Sequence, residues 1–284
     1  MARRRILRLP GPYNGRMADP DKAVSRRWLA AAVGACLLGV ACSANAFVTY
    51  PFSSGNETLY LKWGDNHAAT PGGTVYWSFI PPGTPGSASY CGDACPGSSV
   101  SAINVEISPG GGFAATPLTA LESHITAMMA RWSAVSGIDY VKLPADSGVP
   151  INDPSALPSA TGQIRIGVFA FASSAGEAAV GYAPPPNGGS GAGDILFNAN
   201  AYFQFAPGNE NDSYDTTYGP NDFDGLLLHE LGHALGLAHT PDDGTHPVMC
   251  VDASCLARIK RQLTADDIAG AVFLYDRIYC DGFE

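Results

Sequence analysis

The stretch His229-Glu230-Leu231-Gly232-His233-Ala234-Leu235-Gly236-Leu237-Ala238-His239 fits H-E-x-x-H-x-x-G-x-x-H at every fixed position. With Gly at about 7% of residues and His rarer, five fixed residues at these spacings coincide by chance on the order of once in ten million positions. At about 100° per residue, His229 and His233 lie about 40° apart on a helix, so both imidazoles project toward one ion. Glu230 sits about 60° further round, able to reach a water on that ion without being a ligand. Leu227, Leu228, Leu231 and Leu235 cluster on the opposite side, the face that anchors the helix in a core.

A continuing helix would carry His239 about 15 Å beyond His229, too far to share the ion. The chain must turn back, and Gly236 is placed to allow it, because Gly enters the left-handed conformation that ends helices at low steric cost. Three neutral imidazoles leave the fourth tetrahedral position of a zinc ion to water, which marks a catalytic site and not a closed structural one. Zinc lowers the pKa of its water towards 7, and Glu230 takes the proton as the water attacks a carbonyl. Returning that proton to the leaving amine would complete peptide hydrolysis without a covalent intermediate.

With these residues the chain resembles a metzincin metalloendopeptidase, and within that clan the matrixin branch that includes the matrix metalloproteinases. Met249, ten residues after His239, matches the methionine turn beneath the zinc. Thr240 stands where matrixins usually carry Ser, and no Tyr follows Met249 by two residues, as an astacin or serralysin ligand would. The run from Arg131 to Tyr140 resembles the matrixin join of first helix and second strand, and Gln163 to Phe169 resembles the next strand. Gly193-Asp194-Ile195-Leu196-Phe197-Asn198 resembles G-D-x-H-F-D, and Leu263 to Tyr275 resembles the closing helix. The resemblance spans roughly residues 73 to 276. It implies an α+β metzincin-like zincin fold: a twisted mixed five-stranded sheet, three main helices and a long Gly/Pro-rich insert. It also implies an extended polypeptide substrate, laid along the edge strand Val180-Gly181-Tyr182-Ala183, to which a peptide can add through backbone bonds.

Departures from the pattern limit what carries over. Leu196 replaces the histidine that would bind a second, structural zinc, and no H-x-D pair precedes it, so that site is expected to be absent. Ala201 occupies the place of a calcium-binding Glu. Asp194 remains a candidate calcium (Ca2+) ligand through its carboxylate, against the plainer expectation of a solvated loop aspartate. Cys250 replaces the residue, commonly Tyr, that helps wall the family's specificity pocket, so family substrate preferences do not transfer.

Residues 1–46 have the composition of a signal peptide: Arg26-Arg27, an apolar run from Trp28 to Ala41, then Ala44-Asn45-Ala46 before Phe47. The run is short for a membrane span and ends in small residues, which points to cleavage after Ala46 and no stable membrane association afterwards. Met17 is an alternative start that would give the leader an ordinary length. Ser25-Arg26-Arg27-Trp28-Leu29 resembles a twin-arginine signal, though a general secretory leader is the favoured reading, since Arg pairs are common in such leaders. A secreted or periplasmic location follows. Residues 47–284 then hold eight basic against 24 acidic side chains, a formal charge of −16. An acidic chain excludes nucleic acid and anionic membranes as partners, and a monomer is expected.

Five cysteines remain in an oxidising compartment. Cys91 with Cys95 and Cys250 with Cys255 are local pairings, leaving Cys280 over; other connectivities stay open. Tyr90-Cys91-Gly92-Asp93 has a second reading as a cysteine switch, against which stand a missing neighbouring Arg and a place inside the domain.

Residues 47–72 form a short N-terminal segment, 73–276 the catalytic domain with its insert at 81–117, and 277–284 a tail. Thr74 to Ile80 reads as the first strand, and the insert is a loop excursion with a short strand near Ile103 to Ile107. Apolar spacing from Leu118 to Ala134 predicts a buried helix. Ile138 to Leu143, Gln163 to Phe169, Val180 to Ala183 and Asp194 to Asn198 are strand candidates. Thr264 caps a final helix with Asp267, and Ile268, Val272 and Tyr275 point to the core. His67, His124 and His246 lack ligand spacing. The expected function is a secreted zinc-dependent endopeptidase with Glu230 as general base. Its rivals are an exported binding protein on the same scaffold and a zinc hydrolase of a non-peptide amide.

Overall fold

The first residues with defined positions are already tied to the far end of the domain. β1 (Val48–Thr49) pairs antiparallel with Leu237–Ala238, the link between the second and third motif histidines. Phe47 packs beside Phe273, their ring centroids 5.4 Å apart. β2 (Pro51–Ser54) and β3 (Glu57–Tyr60) then form a hairpin. Trp63 is buried; its indole N–H donates to Ala234 O at 2.8 Å and its backbone N–H to the Tyr275 hydroxyl at 3.0 Å. The computed structural model describes residues 47–86, 99–108, 110–153, 156, 162–172, 176–187 and 189–275. All of them fall in Cys42–Glu284, the second of two compact units. The leader with Met17, the pair Cys91 and Cys95 and the tail with Cys280 lie outside the described residues.

β4 (Thr74–Phe79) alternates exposed and buried side chains, with Val75 and Trp77 turned inward, as a strand covered on one face does. β5 (Ser99–Val100), β6 (Ala102–Glu106) and β7 (Ala114–Pro117) follow within the insert, β6 lying where the short strand near Ile103 to Ile107 is expected. A 3-10 turn at Leu118–Leu121 leads into α1 (Glu122–Ser136), which buries Ile125, Met128, Met129 and Trp132 and ends on Gly137 in the left-handed region. Then come β8 (Asp139–Lys142), β9 (Ile164–Phe169), β10 (Ala179–Gly181) and β11 (Ile195–Asn198).

The main sheet runs β10-β11-β9-β4-β8, with the two-residue β5 also pairing on β9. It is mixed: β11, β9, β4 and β8 are parallel, whereas β10 and β5 pair antiparallel. With β5 the sheet has six strands, one more than the five expected. β12 (Tyr202–Gln204) and β13 (Asn221–Asp222) complete a second sheet, β13-β12-β6-β7. The insert is thus in part a structural layer. Its turn-rich composition concealed β5 and β7, which pair with β9, about 70 residues on, and with β6.

α2 (Phe223–Leu235) carries the first two motif histidines, β14 (Leu237–Ala238) follows at once, and α3 (Ala265–Tyr275) closes the described chain. Leu227, Leu228, Leu231 and Leu235 are wholly buried, each contributing about 1.5–3 kcal/mol by leaving water. Trp132 on α1 donates its indole N–H to Leu228 O at 2.9 Å, fixing one helix against the other. On α3 one expectation is corrected: Ile268 is exposed, and Asp267, Gly270, Ala271 and Leu274 face inward. The helix is turned by the bonds that Asp267 makes, described below. Among the described residues no helix is long and apolar enough to cross a membrane.

Candidate metal centre

Asp222 starts α2 by accepting the Gly225 N–H at 3.1 Å, and is held in turn by the Arg261 guanidinium. Asp224 in the first turn complements the positive end of the helix dipole and pairs with His124 at 2.8 Å. At the other end Gly236 has φ 112°, and its N–H bonds Gly232 O and His233 O. A side chain at Gly236 would strike Leu61 O, so both the turn and the close approach require glycine. The chain doubles back through β14 and delivers His239 beside the helix.

The three imidazoles converge. His233 Nε2 lies 3.1 Å from His229 Nε2 and 3.0 Å from His239 Nε2. Two nitrogens bound to one tetrahedral zinc at about 2.0–2.1 Å sit roughly 3.3 Å apart, so the set fits that ion without rearrangement. The far nitrogens are engaged elsewhere: His229 Nδ1 bonds Val248 O at 2.7 Å and His233 Nδ1 bonds Leu237 O at 2.8 Å. Such bonds fix the tautomer that leaves Nε2 free to ligate. Burial, then the neighbouring imidazoles, hold the pKa of His229 well below its usual value and that of His233 at about 4. Burial, then the Lys260 charge, lowers that of His239. Neutral imidazole is the form that binds metal.

Glu230 is buried one residue from His229, and burial raises its carboxyl pKa to about 8 against the pull of a hydrogen bond from the Gly181 N–H. Gly181 ends β10, which lies at the edge of the main sheet. A side chain there would collide with Glu230 O, so glycine lets the edge strand lie directly over the helix. Val180 pairs with Leu196 across the strand, and Tyr182 and Ala183 continue beyond β10.

Met249 is buried beneath α2, its Sδ filling the space that a side chain at Gly232 would take. Its turn is held from α3, where the Asp267 carboxylate accepts the N–H of Val248 at 2.9 Å and of Met249 at 3.2 Å. Asp267 also accepts the Thr264 N–H at 2.9 Å and donates its own N–H to the Thr264 hydroxyl at 3.4 Å, the expected capping contact. The helix end and the methionine turn therefore share one carboxylate. Its second role was not visible from helix capping alone. Tyr50 gave no sequence signal either: its hydroxyl lies 3.2 Å from His233 Nδ1, and burial, then the Glu230 charge, raises its pKa to about 12.

Other candidates lie apart from this site. Asp194 is fully buried and not a solvated loop residue; its Oδ1 accepts the Arg165 N–H at 2.9 Å. It sits at the entry to β11, which is buried along its whole length, so the loop expectation for it is corrected. Among the described residues Asp194 belongs to no cluster of metal-binding side chains. Leu196 packs in a small apolar cluster with Ile80, Ile151, Phe169 and Phe171. Asp242, His246 and Cys255 do converge, but the sulfur of Cys255 is in a disulfide with Cys250. His67 pairs with Asp65.

A family model, that of the matrixin peptidases, matches residues 115–276, more than half of the chain. The chain is a matrixin. The match covers both motif-bearing segments and α1, and begins inside the stretch that the sequence motifs spanned from residue 73. A search of the curated proteins finds no match to this matrixin. Family membership makes it a zinc-dependent metallopeptidase acting on peptide substrates, the activity that three convergent neutral imidazoles serve.

Proposed function

We propose that this matrixin is an exported endopeptidase that cuts extended polypeptides, with His229, His233 and His239 as the zinc ligands and Glu230 as the general base. The observation that carries this reading is the placement of three ring nitrogens within about 3 Å steps of one another beside a buried glutamate and an open sheet edge. Zinc, when bound, supplies a Lewis acid that acidifies water and stabilises charge developing on the scissile carbonyl oxygen. Glu230, held by the Gly181 N–H, takes the proton of the attacking water and returns it to the leaving nitrogen. The free edge of β10 offers backbone groups to an extended substrate, which orients the scissile bond over the imidazoles. The composition of residues 1–46 supports export, and the acidic charge beyond it suits a soluble enzyme outside the cell.

The test is digestion of unfolded casein by the zinc-loaded chain from Phe47 onward, with and without a chelator. Chelator-sensitive cleavage is expected. In Glu230→Ala, zinc content should stay at one per chain while turnover falls by about 10²–10⁴-fold. Turnover unchanged in that variant removes Glu230 from the mechanism, and no cleavage by the zinc-loaded wild type favours a binding protein on a peptidase scaffold.

A further inference from the structure

Directly beyond Met249 the chain lines a half-open cavity of about 330 Å³, with His229 in its wall. That volume is at the low end for small-molecule sites, about 300–1,000 Å³, and ample for one side chain. Because His229 is also one of the three convergent imidazoles, a side chain entering here belongs to a residue flanking the bond that is cut. The disulfide-linked Cys250 and Cys255 wall the cavity, and Val251 and Leu256 line it while remaining exposed.

The charged groups on this wall are unequal. Asp222 is the one acid among the lining residues, and both of its oxygens are taken by Arg261. Lys260 and Arg258 are the bases, and among the described residues neither has a carboxylate within ion-pair distance. The Lys260 ammonium donates to Cys250 O at 2.6 Å and Val248 O at 3.3 Å, the two carbonyls that flank Met249. Arg258 donates to Ser254 O at 2.6 Å and Asn211 O at 2.9 Å. Burial lowers the pKa of Lys260 to about 8 against the longer-range pull of Asp267, Asp242 and Glu210, each of which is bonded to other groups. An ammonium has three protons, and two are used. Among the described residues the third meets no acceptor, in a half-buried wall where a charge-assisted bond is stronger than at an open surface.

We propose that this cavity receives the acidic side chain, glutamate or aspartate, of the substrate residue flanking the scissile bond, and that Lys260 is the residue that selects it. The inference rests on the endopeptidase reading above and adds its substrate class. A lysine serving only to clasp the carbonyls around Met249 would support the turn without distinguishing substrates. The two roles separate in a ratio.

The experiment uses two peptides identical except for Glu or Gln at the residue flanking the cut, chosen from cleavage profiling of a peptide library with the zinc-loaded enzyme. The ratio of kcat/KM for Glu over Gln should be roughly ten- to a hundredfold in the wild type. It should fall to near one in Lys260→Met and recover in Lys260→Arg. A wild-type ratio of one or below overturns the proposal. So does a ratio unchanged in Lys260→Met, which would mean that the lysine is a clasp that scales both peptides alike. If Lys260→Met fails to fold, the wild-type ratio and Lys260→Arg still decide. Cleavage without acidic preference sinks this proposal alone, whereas absence of any cleavage sinks the endopeptidase reading and this proposal with it.

Discussion

Two buried polar regions of this matrixin handle their charge in opposite ways. At the metal centre, three imidazoles bring their Nε2 atoms together, and two of them, His229 and His233, turn the far nitrogen to a backbone carbonyl. Across the main sheet, Arg165 and Asp146 are just as buried, yet they answer one another. Arg165 Nε and Nη2 bond the two Asp146 oxygens at 2.9 and 2.8 Å, and the Ser78 hydroxyl donates to the same carboxylate at 2.6 Å. Burial and clustering are common to both regions. What separates a metal site from a structural ion pair is whether the donors are already satisfied by the protein.

The largest effect is expected where the satisfied pair is broken. Arg165→Met strands Asp146 in the interior, and denaturant unfolding at pH 7 should show a loss of about 3–5 kcal/mol. Burial would raise the pKa of Asp146, but hydrogen bonds from Arg165, Ser78 and Gly148 outweigh it and hold the carboxyl below its usual value. A depressed folded pKa means stability that is full above the ordinary aspartate range and lost as pH falls through the folded value. The gap between wild type and Arg165→Met should therefore narrow in acid. An equal gap at both pH values would show that the pair is not what is being measured.

A smaller effect is expected from trying to convert a satisfied region into a metal site. Leu196→His puts an imidazole among Ile80, Ile151, Phe169 and Phe171. It should destabilise by about 1–3 kcal/mol and leave zinc at one equivalent per chain, as read by elemental analysis. A second tightly held equivalent would contradict the distinction drawn above. The mildest change is Tyr50→Phe, which removes the hydroxyl beside His233 Nδ1. Outer-shell partners are worth about 10–100-fold in metal affinity, and this one, secondary to Leu237 O, should sit near tenfold in a chelator competition. Unaltered affinity would assign the whole orienting role to the carbonyl.

The same contrast explains what could be read from the chain alone. The three histidines, Glu230 and Gly236 announce themselves because helical geometry and metal coordination fix their spacing within eleven residues, whereas Met249 is marked by the family resemblance alone. Strands β4, β8, β9 and β11 carried enough apolar pattern to be placed within a residue or two. β1 did not, since a two-residue strand has no period and its partners lie 188 and 190 residues on. Asp194 and the Arg165–Asp146 pair were equally silent, because a charged residue in sequence carries no mark of whether it will be buried. Lys260 was missed for a related reason: its significance comes from the carbonyls of a turn ten residues earlier, closed by the disulfide between Cys250 and Cys255.

The pairing of Val48 and Thr49 with Ala238 and Leu237 joins the start of the described chain to the link that carries His239. Tyr50 follows directly, and its carbonyl is clasped by the Leu61 N–H at 3.0 Å. A nick or trimming anywhere ahead of Leu61 would spare all three histidines and the helical core. Such damage should announce itself first as metal leaking from an otherwise folded protein, and a minimal fragment begun at Thr74 would be a poor standard for measuring how tightly the ion is held.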